Sequence, residues 1–393
     1  MGQRDLTASV FWGFFLRVME FDFLQFAKPL IRTPTAPFHE HFALGIARSF
    51  AAERPLIQLL HDHCGNSLLL YDGGGQREED EFIVLTAHLD HPGLVWRSSQ
   101  ESGRALFEIL GGVELEQALA TGVRIFDLNR PATQRGIPGT IVGTVEEEGT
   151  RYPLVEVAAA PDSPQGPGTF AMWDLPAFRV RDRRLSGRAI DDLAGAAVAL
   201  CVLDSLVRLQ ASVRLGVLFT RAEEVGFVGM LAALEAGFLP RRALYINIEC
   251  SSVAAGAVLG AGPILRVGDR LWVFDPDISG GLAALAGELA TQQPSFRYQR
   301  KLMDSGACEA TPLMQADYRT GAVALPLGNY HNSGPGAQLS PEYIHLDDAN
   351  GLVRLLVHVA QRGIGTGLAH SAAALDSMLA GRLAQYRDRL HPV

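Results

Sequence analysis

The sequence predicts an α/β protein built on a mixed, mostly parallel sheet covered by helices on both faces, with a β domain inserted into it. Three observations predict this. Apolar strand-like runs alternate with helical runs through most of the chain, the pattern left by crossover connections between parallel strands. Between Gly93 and Arg184 the alternation stops, and short β-like runs rich in Gly and Pro replace it. After Ile190 the alternation returns and continues toward the carboxyl terminus. The expected division is a main domain formed by residues 1–92 and 185–393, with an extra N-terminal segment at 1–20, and an insert at 93–184.

The elements follow in order. A helical pattern runs from Phe21 through Ile31, breaks at Pro34 and Pro37, and resumes from Glu40 through Ala52. Ser67–Tyr71 and Phe82–Ala87 read as strands, the second apolar enough to be central. Val123–Phe126 and Gly139–Val145 are the clearest β runs of the insert. Then come a helix from Asp192 to Leu209, a strand Leu215–Thr220, a helix near Val228–Ala236 and a strand Leu244–Ile248. A helix Gly281–Leu289, a strand Ala322–Leu327 and a helix starting near Asp347 complete the series, the Asp347 carboxylate suiting an N-cap.

Composition narrows the function classes. A chain of 393 residues, 48% apolar and 20% charged, is an ordinary globular protein able to bury a large core. A net charge of -9 without any basic stretch argues against nucleic acid as a partner. Cys64, Cys201, Cys250 and Cys308 are widely spaced with no Cys-x-x-Cys pair, which fits a reducing cytoplasm better than a disulfide framework or a thiolate zinc knuckle. The apolar run Val10–Met19 is interrupted by Arg17, lacks a small-residue cleavage site and is too short to span a bilayer. It is expected to form an extra helical segment or a dimer contact, with no membrane as partner. Leu6, where myristoylation wants Ser or Thr, argues against a lipid anchor.

The chemistry-bearing residues sit where strands end, which is where α/β sheets collect ligands. His88 and Asp90 follow Phe82–Leu85; in extended chain they point to one side, so Asp90 can orient the ring of His88 while its other nitrogen binds metal. Taken alone the pair reads as a solvated turn. Asp191 and Asp192 open a helix of small residues, and a helix amino terminus keeps Asp191 ionised and able to bridge two cations. Capping explains one of these acids, not both. Glu223 and Glu224 follow Leu215–Thr220; adjacent carboxylates diverge, so one can bind metal while the other takes a proton from water. An exposed acidic loop fits that motif as well. Glu249 after Leu244–Ile248 would be costly to bury unpaired, and His331 after Val323–Leu327 also fits a core histidine. The set decides: separate strand ends deliver His88, Asp191, Glu224, Glu249 and His331, a nitrogen and oxygen ligand set without thiolate. Such a set suits zinc first, with cobalt or manganese as alternatives, and a shared carboxylate suits two divalent ions roughly 3.5 to 4 Å apart.

With these residues in place the chain resembles the tetrahedral and glutamyl aminopeptidase family of co-catalytic metallopeptidases, from Phe21 to the carboxyl terminus. The motif order matches: His88-x-Asp90 precedes an insert carrying GGVELEQALATGVRIF from Gly111 and GTFAMWD from Gly168, Leu185–Gly195 returns to the main domain, and Leu259–Ile264 matches a Gly-x-Gly-Pro loop. The resemblance implies a three-layer zinc-peptidase-like catalytic domain with a small β-barrel-like insert. It also implies Asp191 as the bridging ligand, His88 and Glu249 on one ion, Glu224 and His331 on the other, Glu223 as general base and Asp90 as the partner of His88. The implied reaction is attack of water on a peptide carbonyl at the amino end of a peptide substrate, in a homo-oligomer, dimer or dodecamer.

The sequence departs from the family pattern at several positions. His91 stands where Glu is usual, Leu193 where Arg is usual and Glu249 where Asp is commoner. Met303-Asp304-Ser305-Gly306 replaces Gly-Thr-Asp-Ala, and Asn332-Ser333-Gly334 replaces Ser or Thr and Pro. Two other readings follow. A two-metal deacylase or carboxypeptidase shares the ligand set, but an almost entirely β insert argues against it. A catalytically silent peptide-binding homologue has no need of Glu223.

Overall fold

Phe82–His88 and Leu244–Ser252 lie side by side, parallel, in the middle of an eight-stranded mixed sheet. Both faces of these strands are covered: Ile83–His88 and Leu244–Ser251 are buried throughout, and the polar Asn247 is accommodated there by donating to Thr86 Oγ1 at 3.0 Å. The structure is a computed structural model that describes residues 21–74, 82–119, 121–130, 135–157 and 166–390. The expectation for Val10–Met19 therefore lies outside the described residues. The strand order is Ile57–His61, Ser67–Asp72, Arg214–Thr220, Phe82–His88, Leu244–Ser252, Thr320–Leu327, Ile264–Asp269, Gln299–Met303. From Arg214–Thr220 to Thr320–Leu327 neighbours run parallel, so their carboxyl ends open on one edge of the sheet.

Helix Leu193–Arg208 is apolar all round, and Leu193 through Leu206 are buried. It is the inner layer, packed on Phe82–His88 and Leu244–Ser252 and covered by helices Phe23–Arg32 and Leu346–Arg362. Its Ala-Gly-Ala-Ala start lets it approach the sheet closely. On the opposite face Met230, Ala233, Leu313 and Tyr318 close a separate core over Leu68, Val84, Leu218 and Tyr245. Three layers result.

Strands Gly93–Gln100, Arg104–Leu110, Thr150–Val157, Ile137–Glu147, Gly122–Asp127 and Thr169–Trp173 close in that order into a barrel. Leu94, Phe107, Val123, Ile125, Ile141, Val155 and Trp173 fill it. Register shifts at Trp96/Ser98 and Ile141/Gly143 bend two strands, the device by which a short sheet curves onto itself.

The structure corrects several expected boundaries. Helix Leu346–Arg362 is capped by the ring of His345, which accepts from the Asp347 N–H at 3.2 Å, and the Asp347 carboxylate instead takes the guanidinium of Arg183. The helix expected from Gly281 starts at Pro276, where Asp275 accepts from the N–H groups of Asp277 and Ile278. Gln299–Met303 is an additional strand that the sequence reading missed: it forms the sheet edge, its residues alternate between partly covered and exposed, and its QRKLM sequence has no apolar run. A further helix, Ile364–Tyr386, follows a break at Gly363, whose φ is 78°.

Candidate metal centre

The loop after Arg214–Thr220 shows how this fold aims side chains. Its successive N–H groups are taken by side chains from elsewhere: Arg221 by Asn66 at 3.1 Å, Ala222 by Glu40 at 3.0 Å, Glu223 and Glu224 by the two oxygens of Asp90 at 3.0 Å each. Glu40, fully buried, also receives the Nε of Arg221 at 2.6 Å. The loop's backbone is thereby fixed, and the Glu223 and Glu224 side chains project into the space above the strand ends. Asp90 lies 3.5 Å from His88 Nδ1, on the side the extended-chain reading expected, but its two hydrogen bonds go to the tandem acids.

The residues expected to hold metal converge. His88 Nε2 is 3.5 Å from Glu249 Oε1, 3.7 Å from Asp191 Oδ1 and 3.8 Å from Glu223 Oε2. His331 Nε2 is 3.1 Å from Glu224 Oε2 and 3.9 Å from Asp191 Oδ2. Asp191 thus offers one oxygen to each imidazole. His88 with Asp191 and Glu249, and His331 with Asp191 and Glu224, form groups whose ligand atoms all lie within 4.8 Å of one another. His88 with Glu223 and Glu224 meets the same test, as do Asp191, Asp192 and Cys250. Asp192 occupies the N-cap position of Leu193–Arg208 but makes no capping hydrogen bond, so capping accounts for neither acid.

Divalent cations fit this donor set. Asp191 Oδ1, Glu224 Oε1 and Glu249 Oε2 are buried without a hydrogen-bond partner. Burial, followed by the charges of Glu249 and Glu224, holds the Asp191 carboxyl well above the usual range, and burial with the same two neighbours does so for Glu223. Burial alone would lower the His331 pKa, but Glu224 beside it pushes it up to about 9. Burial opposes His88 in the same way, yet Glu223, Asp191, Asp90 and Glu249 raise it well above its ordinary value. Glu249 goes the other way: burial raises it, and His88 and Arg266 outweigh burial. Acids crowded at this density, screened from water and short of donors, call for positive charge.

The sequence reading missed several groups around the centre. Arg266, buried and with its Nε unpartnered, lines the pocket together with Met303, Ser305 and Tyr330. The Tyr330 ring stacks on His331 with centroids 3.8 Å apart. His331 Nδ1 faces the Gly112 carbonyl of the insert at 3.3 Å, and a side chain at Gly112 would run into that ring. Glu309 is buried with neither carboxyl oxygen partnered, whereas Asp304, in the segment read against the family's Gly-Thr-Asp-Ala, is exposed. Two departures from the family pattern touch: His91 Nε2 lies 3.1 Å from Asn332 Oδ1.

Comparison with known proteins agrees with the fold. The Pyrococcus horikoshii TET1 peptidase, described as assembling into a tetrahedron or a large octahedral shell, superposes with a TM-score of 0.69 at 20% identity, over 86% of this chain and 99% of that one. A TET aminopeptidase from a marine sediment thaumarchaeote gives 0.72 at 17% identity, over 89% and 99%. An aminopeptidase of Desulfurococcus kamchatkensis gives 0.70 at 18%, over 88% and 96%. The profile of the M42 glutamyl aminopeptidases matches residues 66–355, most of the catalytic sheet and the whole barrel. The chain belongs to the M42 glutamyl aminopeptidase family.

Proposed function

We propose that this chain is a two-metal aminopeptidase in which Asp191 is shared between the ions, His88 and Glu249 complete one site, and Glu224 and His331 complete the other. The observation that carries the reading is the aspartate itself, with Oδ1 turned to His88 and Oδ2 to His331. Zinc is the first choice for this donor set, ahead of cobalt and manganese. When bound, such ions lower the pKa of water toward neutrality and polarise the scissile carbonyl.

Glu223 is the general base. Its carboxylate sits at the margin of the His88 group, and burial among acids strengthens it as a proton acceptor. It takes a proton from the attacking water and gives it to the amine nitrogen as the peptide C–N bond breaks. Asp90 holds Glu223 and Glu224 by their backbones and faces His88 Nδ1. Arg266 in the pocket wall favours an acidic N-terminal residue on the peptide, consistent with the glutamyl specificity in the family's name.

The remaining features of this reading are a catalytic domain from 1–92 and 185–393 interrupted by an insert at 93–184, a homo-oligomer as in the tetrahedral relatives, and residence in the cytoplasm. No helix among the described residues is long and apolar enough to cross a membrane.

Elemental analysis of the purified protein and hydrolysis of aminoacyl p-nitroanilides beside N-acetyl amino acids test the proposal. Two metals per chain with cleavage of the anilides is the expected result. Cleavage of only the N-acetyl compounds would assign a deacylase instead. Glu223→Ala is expected to keep its metal and lose about 100- to 10,000-fold in kcat, the range of general base catalysis; unchanged turnover removes Glu223 from the mechanism.

A further inference from the structure

One carboxylate outside the ligand set ties the two halves of the centre together. Glu342 is fully buried at the start of the short strand Glu342–His345. Its Oε2 accepts the N–H of Ile190 at 2.7 Å and of Asp191 at 3.1 Å, and its Oε1 accepts the N–H of His331 at 2.9 Å. A single planar group therefore fixes the backbone of the shared aspartate relative to the backbone of an imidazole far away in sequence. His91, also fully buried, braces the same two segments from another side. Its Nδ1 lies 2.7 Å from the Asp191 carbonyl oxygen and 3.9 Å from Glu342 Oε2, while its Nε2 meets the Asn332 amide oxygen. The Asn332 Nδ2 donates to the Ser340 carbonyl at 3.2 Å, which sets the direction of that amide.

The need for such a brace lies in the turn that carries His331. Asn329, His331 and Asn332 hold φ values of 54°, 51° and 60°, a left-handed region that non-glycine residues occupy when their surroundings impose it. Left to itself the turn would relax and carry the imidazole away from Asp191.

We propose that Glu342, braced by His91 and Asn332, is a positioning residue that sets the separation of the two ligand groups and thereby the affinity of the site formed by Glu224, His331 and Asp191. The inference rests on the two-ion reading above. A carboxylate that merely satisfied its neighbours would not reach across to both ligand segments, and the N–H groups it takes include those of Asp191 and His331 themselves.

Cobalt titration of metal-stripped protein, followed by calorimetry and visible absorption, tests it. Wild type is expected to bind two equivalents; wild type that binds none overturns the two-ion reading itself, a result distinct from any difference between variants. Glu342→Gln replaces one acceptor oxygen with a donor. It is expected to bind one equivalent as wild type does and the second about 10- to 100-fold more weakly, as for other residues that orient metal ligands, with an altered two-cobalt spectrum. Glu342→Asp keeps the charge and should recover part of the loss. Wild-type affinity for both equivalents and an unchanged spectrum in Glu342→Gln would overturn the proposal. Should that variant fail to fold, Asn332→Ala carries the test: a second equivalent weakened severalfold supports the brace, and unchanged binding overturns it.

Discussion

Asp90→Asn is the sharpest probe of how the loop bearing Glu223 and Glu224 is held. In the native protein each oxygen of this fully buried side chain accepts one backbone N–H, from Glu223 and from Glu224, at 3.0 Å. Asparagine keeps one acceptor and points an NH2 group at the other donor, leaving one buried N–H unsatisfied at a cost of about 1–3 kcal/mol. Asp90→Ala removes both acceptors, for about 2–6 kcal/mol if the two terms add. Against a total stability of about 5–15 kcal/mol the asparagine variant stays folded, while the alanine variant approaches the margin. Activity should fall further than stability suggests, because a shift of 1 Å in a reacting group costs about 100-fold. The pH dependence carries a sign. Burial raises the Asp90 pKa, but His88 and the two N–H donors outweigh burial and bring it below the ordinary aspartate value. The stability it contributes is thus complete above that ordinary value and is lost as pH falls through the folded-state pKa, and Asp90→Asn should remove this acid-side loss. Denaturant unfolding of metal-free protein from pH 7 down to pH 3, beside kcat at saturating metal, measures both effects. An asparagine variant with wild-type stability and wild-type kcat would refute the reasoning.

Three other outcomes follow from the same geometry. Gly112→Ala drives a methyl group into the His331 ring, so kcat should drop about 100-fold with the barrel still folded, read by anilide hydrolysis and circular dichroism; full activity would detach the insert from the centre. Arg266→Leu should lower kcat/KM for glutamyl p-nitroanilide about 10- to 100-fold relative to the leucyl compound, the worth of one charge-assisted hydrogen bond, and an equal change for both substrates would count against acidic preference. Dialysis against EDTA should abolish hydrolysis and lower stability by about 2.7 kcal/mol for each site that was held at a hundredfold excess of zinc over its Kd; calorimetry that finds the same Tm with and without metal would contradict a bound ion.

How much of this was legible depended on whether a residue's neighbours in sequence were also its neighbours in space. His88 closes its strand, Glu249 lies within Leu244–Ser252, and Glu223, Glu224 and His331 follow theirs, all toward one edge of the sheet, so a reading of strand ends brought them together with Asp191 at its helix start. Glu40 and Glu342 look the same in sequence as any acid near a helix or a short strand, and what they hold, Ala222 in one case and Asp191 with His331 in the other, is set by contacts between distant segments. The edge strand Gln299–Met303 was missed for a related reason, since its pairing comes from its neighbour Ile264–Asp269 rather than from its own composition.

The acids that position the centre and the acids proposed to bind metal nevertheless differ once hydrogen bonds are traced. Each oxygen of Asp90 and Glu342 accepts at least one backbone N–H, and Glu40 accepts the N–H groups of Phe38 and Ala222 together with the guanidinium of Arg221. Asp191, Glu224 and Glu249 each keep a buried oxygen with no donor. Backbone donors are within reach of this region, as the first group demonstrates, yet one oxygen of each pocket acid is left without a donor, although the other oxygen of Glu249 takes the Cys250 N–H at 3.2 Å. A carboxylate already satisfied by N–H groups would bind a cation poorly, so the division is what a metal centre requires: an outer set fixed by the backbone holds in place an inner set whose lone pairs remain available.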